Sequence, residues 1–179
     1  MKVLFTITGP WGIGTETVVD GITREFQNLG HRVKVVFPDL GLPSPDANKY
    51  YGNPELYHIL QFPAEHQGVD FLTFPLIIPD PNPRNLRNAW TFKEMTDKEF
   101  QHYIDFLRLC LQRVIQDFQP DIIETEHVWL MGYVLNELGY TLQNSVFCPP
   151  GRRVLQWLHW KLWGADCLWS ARISLRSKI

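Results

Sequence analysis

Two observations predict an α/β fold built on a doubly wound parallel sheet. The first forty residues read strand, glycine turn, helix, strand. A long amphipathic helix followed by a buried strand recurs near residues 96–125. A strand, crossover helix and strand in so few residues pack only as a parallel, right-handed βαβ unit, and a sheet begun this way winds outward through its third strand before crossing back to the other side of the first.

Residues 2–8 (KVLFTIT) form a β-rich apolar run that breaks at Gly9-Pro10-Trp11-Gly12-Ile13-Gly14. Val18, Val19, Ile22, Phe26 and Leu29 then recur on one helix face, and Gly30 stands where a C′ glycine ends a helix. Residues 31–37 (HRVKVVF) return to strand. Residues 38–68 are loop-rich, with Pro38, Pro43, Pro45, Pro54 and Pro63 interrupting any long element and one short helix expected around 55–60. Residues 69–74 (VDFLTF) read as the third strand, and the four prolines of 75–88 as an extended loop. Thr96-Asp97-Lys98-Glu99 has the form of a capping box. The helix it opens carries Phe100, Tyr103, Ile104, Leu107, Leu111, Val114, Ile115 and Phe118 on one stripe and is stopped by Pro120. Residues 121–125 (DIIET) are the next strand, and residues 128–138 suit a helix closed by Gly139.

With 179 residues, 45% hydrophobic and 20% charged, the chain is large enough for a full core. Cys110, Cys148 and Cys167 form no C-x-x-C pair and leave an odd count, which fits neither a disulfide framework nor structural zinc, so a reducing compartment is expected. No stretch reaches the roughly 18 apolar residues of a membrane span, and the first residues enter a strand with no basic leader; the expected location is cytoplasmic. Charge is uneven: residues 1–151 carry a net of −7 and residues 152–179 a net of +5. An acidic body argues against nucleic-acid binding, which needs a basic face for phosphates.

The expected winding places the Gly9–Gly14 turn, after the first strand, beside Glu126 and His127, after the fourth, in the crevice where open α/β sheets take ligands. Glycines let a ligand approach the backbone, and the helix that follows offers free N–H groups to phosphate, carboxylate or sugar hydroxyls. Their other reading is a tight strand-to-helix turn and nothing more. The spacing Gly9-x-x-Gly12-x-Gly14 reverses the dinucleotide fingerprint, which counts against a dehydrogenase. Asp39 stands where such an enzyme would place its ribose-binding acid, or it caps a loop. Glu124 and Glu126, two apart on a strand, point to one face as paired carboxylates would, or form a solvated strand end. His127 suits a hydrogen bond to a ligand hydroxyl or to the carbonyls of its own turn. His58, His66 and His102 lack metal-ligand spacing, and no Ser-His-Asp order, nucleophile elbow or P-loop is present.

Gly12-x-Gly14-x-Glu16, followed by Gly30-His31-Arg32-Val33, resembles the N-terminal domain of family 4 glycosyltransferases, retaining enzymes made of two Rossmann-like domains in the GT-B arrangement. Phe118-Gln119-Pro120-Asp121-Ile122-Ile123, continuing through Glu124-Thr125-Glu126-His127-Val128-Trp129-Leu130, is similar to that family's strand and turn of the form kPDvvhaHhxw. The resemblance covers residues 1–140. It departs from the family at Ile13, where a second glycine is usual, and at Glu126, where a first histidine is usual. After Gly139 the family's fifth strand, of the form PyvxtxHG, has no counterpart, and no two glutamates stand eight apart as the family's donor-binding motif requires.

The resemblance implies sugar transfer from a nucleotide donor to a saccharide or lipid-linked acceptor, with this domain on the acceptor side and no metal or other cofactor. Gly12, Ile13, Gly14, Glu126 and His127 would bind substrate, and no catalytic residue is assigned. The chain is expected to be inactive alone, since the donor-binding half is not among these residues. A non-catalytic saccharide- or partner-binding module is the alternative, and an NAD(P)-dependent oxidoreductase the third reading. Residues 141–179 form a basic, tryptophan-rich tail holding Trp157, Trp160, Trp163 and Trp169, four of the chain's seven tryptophans. It reads as a peripheral membrane contact, or as a truncated or frame-shifted end with no selected role in place of the fifth strand, which would leave the sheet with a bare apolar edge.

Overall fold

A computed structural model describes residues 1–9, 15–39, 47–71, 75, 91–126, 128–140, 142–143 and 171–174. Its centre is a parallel four-strand sheet flanked by helices. Strand β1 (Lys2–Thr6) leads to helix α1 (Thr15–Asn28) and back to β2 (Arg32–Asp39). After α2 (Ala47–Tyr51), β3 (Tyr57–Gln61) joins the outer side of β2. A hairpin of β4 (Ala64–His66) and β5 (Val69–Phe71) forms a separate two-stranded sheet. Helix α3 (Asp97–Phe118) then leads into β6 (Ile122–Thr125), which lies parallel to β1 on the side away from β2. A π-helical turn (Val128–Gly132) and α4 (Tyr133–Glu137) follow, and β7 (Leu142–Gln143) and β8 (Ala171–Ser174) complete the large sheet in the order β3-β2-β1-β6-β8-β7.

The crossing-back expected from the opening βαβ unit is therefore present, but with a different third strand. Residues 57–60, expected within a short helix around 55–60, belong to β3, in register with β2 from Val35↔Tyr57 to Asp39↔Gln61. Residues 69–71, expected in the sheet, pair antiparallel with β4. Gln67 (φ 53°) and Gly68 (φ 76°) hold both central positions of the turn at positive φ, as a tight two-residue hairpin requires. The bare edge expected beside the fourth strand is also corrected. β8 covers β6 antiparallel, from Ile122↔Ser174 to Thr125↔Ala171. Residues 72–74 and 76–90, and the four tail tryptophans, lie outside the described residues.

Helix ends follow their sequence signals. Thr96 accepts a hydrogen bond from the Glu99 N–H at 3.3 Å while the Glu99 carboxylate accepts from the Thr96 N–H at 2.8 Å, closing the capping box. Glu99 is held below the usual carboxylate range by the Thr96 hydroxyl first and the Thr96 N–H second. α3 ends with Gln119 left-handed (φ 51°) before Pro120, its N–H donating to the Ile115 carbonyl at 2.7 Å. At the end of α1, Gly30 (φ 78°) lets His31 N–H reach the Phe26 carbonyl at 2.9 Å, a six-residue C-terminal cap that a side chain at position 30 would strain.

Two apolar layers sandwich the sheet. On one side Val19 of α1 packs over Val3, Phe5, Ile7, Val33, Val35 and Phe37. On the other, the α3 stripe from Tyr103 to Phe118 and Val134 and Leu135 of α4 pack over Leu4, Val36 and Ile123. The alternation along β1 thus feeds both layers, as a strand buried on both faces must. Phe62, Phe71, Tyr103 and Phe106 join the hairpin to α3 with ring centroids 5.5–6.3 Å apart.

Candidate functional site at the carboxyl edge

Past their last ladder residues β1 continues against β2, and β6 against β1. Ile7 N–H donates to the Val36 carbonyl at 2.8 Å, and Glu126 N–H donates to the Thr6 carbonyl at 3.0 Å. Glu126 is thereby pinned beside the start of the turn that leaves β1, at the point where the strand order reverses. This bond joins Glu126 to the last residue of β1, ahead of the Gly9–Gly14 turn expected to face it. Gly12, Ile13, Gly14 and His127 lie outside the described residues.

Glu124 stands in register with Phe5, on the α1 side of the sheet, and the strand period places Glu126 on the same side. Both are almost wholly enclosed, at 9% and 5% exposure, so the expectation of a solvated strand end does not hold. Burial first, and the neighbouring Glu124 carboxylate second, push Glu126 up to about 7. A carboxyl group at that value exchanges a proton at neutral pH. It can donate a hydrogen bond in one state and accept in the other, which suits hydroxyl ligands and proton transfer alike.

Asp39 closes β2 on the same side of the sheet, since Val33, Val35 and Phe37 at the same strand phase pack under α1. It accepts a hydrogen bond from the Tyr51 hydroxyl at 2.6 Å, so α2 is tied to the strand end by the acid that a dinucleotide site would use for ribose. The opposite side of the edge is lined by hydroxyls. Thr6 and Thr125 are paired in register and fully buried, and Thr6 Oγ1 has no hydrogen-bond partner. In sequence, residues 9–14, 40–46 and 127–132, which follow β1, β2 and β6, contain no lysine or arginine. Among the described residues, the edge presents carboxylates and hydroxyls.

Two features of this edge escaped the sequence. Residues 128–132, expected as plain helix, form a π-helical turn in which Leu130, buried at 1% exposure, takes φ 61°. A branched residue in the left-handed region is held there only by surroundings that over-determine it, and such turns favour functional positions. Tyr51, which holds Asp39, gave no signal beyond its place in a loop-rich stretch.

The remaining candidates lie elsewhere. His58 is on β3, with its pKa lowered by burial and then by Lys34. His66 sits against the Phe106 ring, 6.1 Å between centroids, and His102 is on α3. Among the described residues no three His, Cys, Asp or Glu side chains gather as metal ligands, and no helix is long and apolar enough to cross a membrane. Burial pushes the Cys110 thiol up, away from a reactive thiolate. No family model, no curated protein and no solved structure matches this chain.

Proposed function

We propose that this chain is a glycosyltransferase-like acceptor-binding domain of the GT-B type, which holds a saccharide or lipid-linked acceptor at the carboxyl edge of its sheet and does not transfer sugar by itself. The observation that carries the reading is Glu126, pinned to β1 at the strand-order reversal, buried, and raised to about 7. The acids Asp39 and Glu124 at the same edge, and the lack of lysine or arginine in the sequence of residues 9–14, 40–46 and 127–132, favour a neutral polyhydroxyl ligand over a phosphate group. Carboxylates bind sugar hydroxyls by accepting two or more hydrogen bonds, and a protonated Glu126 adds a donor.

In this proposal Gly12, Ile13 and Gly14 let the ligand approach the backbone after β1, and His127 hydrogen-bonds an acceptor hydroxyl beside Glu126. The donor nucleotide sugar needs cationic groups against its departing diphosphate, and residues 9–14, 40–46 and 127–132 contain no lysine or arginine to supply them. No further cofactor is proposed. The location proposed is cytoplasmic, with the basic residues of 152–179 contacting a membrane surface where the acceptor is lipid-linked.

The test is a pair of assays on the purified chain. Calorimetry against neutral oligosaccharides should give saturable binding that Gly14→Val and His127→Ala abolish. Mass spectrometry after incubation with nucleotide sugars and the same acceptors should give no product. Turnover that disappears in those two variants would overturn the claim of inactivity. Saturable NAD(P) binding without saccharide binding would replace the whole reading with the oxidoreductase one.

A further inference from the structure

We draw no further inference here: the strongest candidate, the apolar flank of α1 formed by Val18, Ile22, Phe26 and Leu29 on the side away from the Asp20–Lys49 ion pair, carries nothing because nothing in the structure shows what covers it.

Discussion

Replacing Glu126 with glutamine should change how stability depends on pH, by an amount the structure sets. Burial and the Glu124 carboxylate raise Glu126 from 4.5 to about 7 in the folded chain. Between those values the folded state binds a proton that the unfolded state has released, so stability falls as pH rises through this window. At about 1.4 kcal/mol for each pH unit, the full loss is roughly 3 kcal/mol, complete above the folded value and absent below the unfolded one. At 5% exposure the side chain has little water to screen it. Glutamine carries no charge at any pH and so lacks this loss. Urea titrations of both proteins, followed by circular dichroism between pH 4 and pH 8, should show the variant gaining on the native chain by roughly 3 kcal/mol across the range. His58, whose folded pKa is lowered mainly by burial, titrates in both proteins and cancels in the difference. Glu124→Gln should reduce the native chain's loss without removing it, because Glu124 is the smaller of the two causes. A difference between native chain and Glu126→Gln that stays constant with pH would refute the burial and coupling assigned to Glu126.

Other outcomes follow from the core and the caps. Leu111→Ala, at a fully buried position of the α3 stripe, should cost about 2 to 5 kcal/mol in chemical denaturation; an unchanged midpoint would mean that α3 does not pack on the sheet. Thr96→Ala removes the acceptor for the Glu99 N–H and should cost about 1 kcal/mol, while Thr96→Ser should restore most of it. Because Glu99 is held below the usual carboxylate range, its share of the capping box is present above the ordinary carboxylate value and lost as pH falls through the lowered one. The Thr96→Ala deficit should therefore shrink in acid, and a deficit independent of pH would separate the cap from the carboxylate.

What was legible in the sequence were the elements whose signals are local. The period of Val19 and Phe26, the glycine at 30, the Thr96–Glu99 box and Pro120 each depend on neighbours within a turn or two, and each stands where expected. The third strand was misread because Leu56, Tyr57 and Leu60 have helical spacing. Their burial against β2 comes from partners more than twenty residues away, which no local period reports. The 69–71 run is equally apolar, and only the Gln67-Gly68 turn marks it as half of a hairpin. At the site, the meeting of Glu126 with the end of β1 was readable from topology alone, since the reversal of strand order brings them together. The depth at which Glu124 and Glu126 are buried was not. It depends on the layer packed over β1 and β6, and two glutamates at a strand end look in sequence like solvated charges.

The central claim is that the carboxyl edge of the sheet receives a saccharide. A titration of isotopically labelled chain with neutral oligosaccharides, read as amide chemical shifts, tests it most directly. The account predicts saturable shifts at residues 7–9, at Asp39 and at 124–126, which His127→Ala removes while leaving the rest of the spectrum in place. Shifts confined to other faces, or none at saturating saccharide with the spectrum of a folded chain, would contradict it.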